Sequence, residues 1–278
     1  MSFQRDDRIG PYRLVQPVFK GTASQIWVAL HVSTTNRVAL KIVLPDHQGN
    51  SEHGPLLKNE YTVGSSLNHE SIIRILDYGV DRQFTYLVME YFDAPNMKQL
   101  IRQDHAGLYP MIPTIIQRAA GGLAHLHQQG WIHRDIKPEN FLINTQGEVR
   151  VIDLALAQRP TGLLGRVFRG KGKIQGTQSY ISPEQLRGQP LDPRADIYSF
   201  GCVVYELISG KPPFTGESSA ELLTKHLKAN PPAVKAVQGE VTEGFARLVR
   251  RMMAKNPAER PATMDVVLEE LTDTGIFA

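Results

Sequence analysis

His133-Arg134-Asp135-Ile136-Lys137-Pro138-Glu139-Asn140 is the stretch that decides how this chain is read. Ahead of it, apolar residues recur at helical spacing from Ile112 to Gln129 and stop at Gly130, so Asp135 falls in a loop. Behind it, Asn140 to Ile143 and Glu148 to Ile152 are short apolar runs joined by Thr145-Gln146-Gly147, which reads as a strand pair. A lone carboxylate, Asp153, emerges from the second strand.

Loop and strand pair together carry a recognisable chemistry. An aspartate in such a loop can accept the proton of a hydroxyl, while Lys137 just beyond it neutralises charge on a phosphate. Asn140 offers an uncharged oxygen and Asp153 a charged one to magnesium, which prefers carboxylate and phosphate oxygens. Phosphoryl transfer asks for these parts, a positioned base, cations and metal ligands, and for little covalent work.

Outward from the loop, the two ends of the chain differ. From Tyr12 to about Glu90 short β-branched or alternating runs dominate: Gln25 to Leu30, Arg37 to Val43, Ile72 to Leu76 and Tyr86 to Glu90. One helical pattern, Pro55 to Leu67, interrupts them behind a proline suited to a first turn. Beyond Asp93 the patterns turn helical, at Ile112 to Gln129, Pro193 to Ile208, Ser219 to Lys228, Thr242 to Ala254 and Thr263 to Leu271. The expected class is therefore α+β, a small sheet with one helix followed by a larger helical part, hinged at Tyr91 to Asn96.

The bulk properties agree with a globular enzyme. At 278 residues and 41% hydrophobic content the chain can bury a full core. A net charge of +3 is far from the dense basic stripe of a nucleic-acid binder, so no nucleic-acid partner is expected. The single cysteine, Cys202, excludes an internal disulfide and sits in the apolar run Phe200 to Tyr205, which reads as a core position in a reducing, cytoplasmic setting. No window reaches the length of a membrane span, so a soluble chain is expected.

These blocks resemble, in order, the catalytic core of the protein kinase family, specifically the eukaryotic-like Ser/Thr kinases of bacteria, from Tyr12 to about Leu271. Val38-Ala39-Leu40-Lys41 resembles the strand whose lysine pairs with the α- and β-phosphates, and Glu60 falls where a helix glutamate partners that lysine. Gly176-Thr177-Gln178-Ser179-Tyr180-Ile181-Ser182-Pro183-Glu184 looks like the end of an activation segment. Asp196 resembles the buried carboxylate that braces the catalytic loop, and Arg260 the arginine that pairs with Glu184. Singly, Lys41 could be a strand-edge lysine, Glu60 a solvated helix residue and His133 a core histidine; their joint order overturns the plainer readings, except that His133 is still read as structural.

The resemblance implies a two-lobed fold, with an N-terminal extension at 1–11, an N-lobe at 12–92, a C-lobe at 93–272 and a tail at 273–278. It implies ATP beneath Gly21 and Ser24, with Ile26, Ala39 and Leu142 sandwiching the base, Met89 behind it and the hinge Glu90 to Phe92 beside it. Mg2+, or Mn2+ in its place, would sit on Asn140 and Asp153. Asp135, Lys137, Lys41, Glu60 and Thr177 would serve catalysis, the Thr177 hydroxyl bonding near Asp135 and Lys137. Lys137 and Thr177 both fit the Ser/Thr pattern, so the implied partner is a protein bearing a serine or threonine, and a homodimer is compatible with it. Two other readings stand beside this one: a weakly active pseudokinase-like scaffold and a small-molecule kinase.

Departures from the family pattern carry expectations of their own. The glycine-rich loop reads Phe19, Gly21 and Ser24, and Phe19 is expected to restrict the loop or cover the nucleotide. Asp153-Leu154-Ala155 has alanine where glycine is usual, which raises the cost of any positive φ there. Gly64, one turn after Glu60, offers no side chain, so a gap and a loosely held helix are expected. Gly162 to Gly176 contains no hydroxyl residue and places Lys173 at the usual phosphothreonine position, so Arg134 is expected to lack a phosphate partner there. Activation would then depend on an acidic protein, a dimer contact or packing.

Overall fold

The structure, a computed structural model, describes residues 3–21, 23–44, 53–82, 84–160 and 178–278. They form two compact units, one running to Asp93 and including Asp153–Leu156, the other holding Ala94–Ile152 and Ala157–Ala278.

The first unit is built on an antiparallel sheet of β1 (Arg8–Ile9), β2 (Tyr12–Lys20), β3 (Ser24–His31), β4 (Arg37–Val43), β5 (Ile75–Asp81) and β6 (Phe84–Glu90), in the order β1-β2-β3-β4-β6-β5. Because side chains alternate across a strand, Trp27, Leu40, Ile42, Tyr86 and Val88 enter one core with Tyr12 and Leu14. The register sets Ile26 opposite Lys41, Lys41 opposite Leu87 and Ala39 opposite Met89, so these residues share the other face. The strand expected from Ile72 starts at Ile75. Ile72 and Ile73 are buried, each 4% exposed, but follow a turn closed by the Ile72 amide on the His69 carbonyl. The remainder of β5, through Asp77, Tyr78 and Gly79, is too polar to show as an apolar run.

The N-terminal stretch set apart by sequence packs into this unit. Phe3, 7% exposed, meets Phe84 edge-on at 4.9 Å. Arg8 and Ile9 pair with Arg13 and Tyr12, and the Gly10 amide donates to Asp81 at 2.8 Å. Gly10 has a φ of 54°, and a Cβ there would lie within 2.4 Å of the Tyr86 hydroxyl, so glycine is needed on both counts.

Helix α1 (His53–Gly64) buries Leu57, Glu60, Val63 and Gly64 along one stripe. It ends at Gly64, three residues before the expected Leu67. Ser65 and Ser66 are weak helix formers, and the Ser66 and Leu67 amides close onto the Val63 and Gly64 carbonyls in a tighter turn. The gap expected at Gly64 does not exist. A Cβ there would stand 2.2 Å from Ile75 Cγ1, so the isoleucine of β5 occupies the space and the helix backbone lies directly on it.

The second unit contains α2 (Met97–Asp104), α3 (Ile112–Gln128), the hairpin β7 (Phe141–Ile143) and β8 (Val149–Val151), α4 (Pro183–Leu186), α5 (Arg194–Ser209), α6 (Ser219–Lys228), α7 (Val234–Val237), α8 (Glu243–Met252) and α9 (Met264–Thr274). Helix α5 is buried from Ala195 to Ile208 on every side, and its end is set by Gly210 in the left-handed region at φ 75°. Cys202 lies on it, fully buried, and burial pushes its thiol up to about 12. Thr242 and Thr263, expected as first helical residues, instead cap α8 and α9 by accepting the amides of Phe245 and Val266. Glu184 and Arg260, 5% and 4% exposed, form a bidentate pair at 2.6 and 2.9 Å.

Candidate active site

In the first unit, Lys41 projects from β4 on the face away from the core. Its Nζ donates to Glu60 Oε2 at 2.7 Å and to Asp153 Oδ1 at 3.0 Å. Burial works to lower the Lys41 ammonium, but the charges of Glu60 and Asp153 outweigh it and raise it, so the lysine stays cationic. Burial likewise pushes the Glu60 carboxyl up while Lys41 draws it back down; opposite a secured ammonium, the two are a charged pair. The nearby Leu154 amide adds to this, favouring the charged Glu60 carboxylate.

Asp153 takes φ 64°, a left-handed conformation that few residues other than glycine adopt, asparagine and aspartate most readily among them. Ala155 is not among the residues of positive φ, so the raised cost of a positive φ there does not come into play; the left-handed residue lies two positions earlier. The Ala155 carbonyl accepts from Asn59 Nδ2 on α1 at 2.9 Å.

Ser24, Ile26, Ala39 and Met89 lie on the same sheet face as Lys41, brought into adjacent rows by the strand register. Gly21 closes the β2–β3 turn, its amide donating to the Ser24 carbonyl at 3.0 Å. A Cβ on Gly21 would lie 2.8 Å from the Phe19 ring, so Phe19, itself 53% exposed, presses on the turn. Glu90 ends β6 with its carboxylate turned onto the Arg74 amide at 3.1 Å, and Phe92 beyond it is half-buried.

In the second unit, the loop after α3 is pinned from below by α5. The buried carboxylate of Asp196 accepts the amides of His133 at 2.7 Å and Arg134 at 2.9 Å, together with His127 Nε2 at 2.9 Å. Burial would raise its carboxyl, but the His127 bond, the nearby imidazoles and the Arg134 amide hold it below the ordinary carboxylate value. This anchorage supports Arg134 in a left-handed conformation at φ 71°. His133, fully buried, accepts the Asp135 amide on Nδ1 at 3.3 Å and meets the Ile152 carbonyl through Nε2 at 3.2 Å, in keeping with a structural role.

Above this anchor, Lys137 Nζ stands 2.6 Å from Asp135 Oδ2. Asn140 Nδ2 donates to the Asp135 carbonyl at 2.7 Å and to its carboxylate at 3.2 Å, which turns its oxygen away from the aspartate. Leu142 lies on β7, opposite Arg150, with a single bridge to Asn96. Arg134 Nη1 donates to Gln158 Oε1 at 3.0 Å, and Gln185 Nε2 holds the Arg134 carbonyl at 2.9 Å. Thr177 and the run Gly162 to Gly176, with Lys173, lie outside the described residues.

The structure thus gathers Lys41, Glu60 and Asp153 in one unit and Asp135, Lys137 and Asn140 in the other. Sequence reasoning missed Asn59, His127, Gln158 and Gln185. His127 carried a signal, falling one residue short of the end of α3 and six before the loop histidine, where it can reach the same carboxylate. The three amide side chains carried none, since Asn and Gln on half-buried helix or loop positions are ordinary.

A model of the protein kinase domain matches residues 12–271. The serine/threonine-protein kinase PknL of Mycobacterium tuberculosis (strain H37Rv) is 32% identical over 267 residues, covering 94% of this chain and 66% of PknL. PrkC of Bacillus subtilis is 32% identical over 257 residues, 92% of this chain and 39% of PrkC. PknB of Mycolicibacterium smegmatis is 32% identical over 260 residues, 91% of this chain and 41% of PknB. The chain therefore spans just under two thirds of PknL and about two fifths of the other two.

Proposed function

The chain belongs to the protein kinase family, and from that premise we propose that it transfers the γ-phosphoryl group of ATP to serine or threonine hydroxyls of other proteins, as part of bacterial signalling in the cytoplasm. The observation that carries this reading is the arrangement on one carboxylate: Asp135, with Lys137 at 2.6 Å and the Asn140 amide at 3.2 Å, in a loop anchored by Asp196. Relatives named serine/threonine-protein kinases support the choice of acceptor, as does lysine two residues after the aspartate.

In this reading Asp135 orients the acceptor hydroxyl in line with the γ-phosphorus and takes its proton. The bond from acceptor oxygen to phosphorus forms as the bond to the β-phosphate oxygen breaks. Lys41, oriented by Glu60, clamps the α- and β-phosphates, and Lys137 follows the transferring group. Ile26, Ala39, Met89 and Leu142 give the base apolar contact. Asp153 and Asn140 are the oxygen donors suited to Mg2+. When bound, the cation would neutralise charge that develops on the phosphates. Among the described residues no group of three or more His, Cys, Asp or Glu could hold a metal alone, which fits a cation that shares its shell with phosphate and water.

The test is transfer of radiolabelled phosphate from ATP to a generic basic protein, with analysis of the labelled amino acid. Asp135→Asn should lower the rate by about 10²–10⁴-fold, the usual worth of a positioned base. Equal rates for the two proteins, or label on tyrosine alone, would overturn the reading.

A further inference from the structure

Helix α1 holds the segment that carries Asp153. Asn59 Nδ2 donates to the Ala155 carbonyl at 2.9 Å, and the Leu154 amide favours the charged form of the Glu60 carboxylate. Lys41, on the Asp153 carboxylate at 3.0 Å, and Asn59 are grips at the two ends of the segment. They are needed because Asp153 sits at φ 64°, where a residue with a side chain stays only if its neighbours over-determine it. Leu154, 1% exposed, fixes the middle of the segment by burial. The helix has its own register stop, Gly64 against Ile75, so it is a rigid platform for the two side chains.

Of these groups, Lys41 and Glu60 act in phosphate binding, while Asn59 donates to the backbone of the segment's last residue. We propose that Asn59 is a positioning residue for Asp153: the hydrogen bond its side-chain amide donates to the Ala155 carbonyl locks the left-handed turn and so aims the Asp153 carboxylate at the cation. The inference rests on the reading of Asp153 as a metal ligand. Half-buried on the helix, Asn59 would otherwise be an ordinary polar position, for which aspartate or alanine serves as well.

Three variants test it. Asn59→Asp keeps the shape and sets an acceptor against the carbonyl, Asn59→Ala removes the donor, and Asn59→Gln keeps an amide on a longer stem. Binding of a fluorescent ATP analogue is measured with and without Mg2+, beside phosphate transfer and thermal melting. Asn59→Asp and Asn59→Ala should bind the metal-free nucleotide as the parent does and lose about tenfold of the tightening that Mg2+ brings, the worth of one well-placed hydrogen bond. Their kcat should fall while KM for the protein substrate holds, and Asn59→Gln should recover part of both losses.

Unchanged Mg2+ tightening in Asn59→Asp and Asn59→Ala overturns the proposal. So does an equal loss of binding with and without metal, or melting of all three variants below the assay temperature, since either marks a purely structural role. If the parent protein gains affinity with Mg2+ yet transfers no phosphate, the proposed activity fails while the positioning role can still be read from binding.

Discussion

Adding a single methyl group at Gly64 should unsettle the small unit more than its size suggests. A Cβ there stands 2.2 Å from Ile75 Cγ1, 3.3 Å from its Cβ and 3.4 Å from its Cδ1. The first distance is roughly 1.5 Å inside ordinary carbon–carbon contact. Ile75 cannot turn aside cheaply, being 7% exposed, β-branched and held opposite Met89 in the sheet. Either the isoleucine leaves its rotamer or α1 shifts outward, and overpacking of this kind costs about 1–3 kcal/mol. Gly64→Ala should therefore melt roughly 3–8 °C below the parent. Ile75→Ala alone should cost about 2–4 kcal/mol by leaving a cavity. In the double variant the new methyl enters that cavity, so the two effects should fall short of their sum by about 1–2 kcal/mol. Urea unfolding followed by the fluorescence of Trp27, in a Trp131→Phe background, reads the unit that holds both residues. Since the shift of α1 carries Glu60 with it, kcat should fall further than KM rises. A Gly64→Ala protein within about 0.5 kcal/mol of the parent, or strictly additive costs, would refute the close contact.

The buried ion pair and a buried imidazole give two more expectations. Arg260→Met should destabilise the second unit by about 3–5 kcal/mol, because Glu184 would be left charged and only 5% exposed; if Glu184→Met in the same protein restores no stability, the pair is not what Arg260 contributes. His226 is fully buried beside Tyr198, and burial together with the Lys255 charge lowers it to about 4. The unfolded chain then binds more protons between pH 4 and about 6.5, so the full stability is present above that window and on the order of 3 kcal/mol is lost as pH falls through it. His226→Gln should flatten the melting temperature over this range, and an unchanged pH profile would show that the imidazole does not titrate there.

What the sequence revealed depended on how local each signal was. Helix α6 was legible to the residue, Ser219 to Lys228, because its period and its cap lie within one stretch, and α3 differed by a single residue. Helix α2 was not, since it buries only Met97 and Ile101, and its Lys98 is spent on Glu206 of α5 at 2.5 Å. The chemistry of Asp135, Lys137 and Asn140 could be read because the three act within one short loop. Gly64 was misread as a gap because the side chain that fills it comes from another strand. The cost foreseen for a positive φ at Ala155 does not arise, because the left-handed residue is Asp153, and sequence shows which residue tolerates such a turn but not where the turn falls.

The packing of Phe3 and β1 bears on how the protein can be handled. The family match begins at Tyr12, an inviting place to trim a recombinant protein. Cutting there would strip the Phe84 ring of its aromatic cover and bare the hydrogen-bonding rim of β2. Uncovered strand rims recruit strands from other molecules. A protein shortened by those eleven residues should keep its catalytic groups and yet clump during purification, a fault easily mistaken for an inactive enzyme.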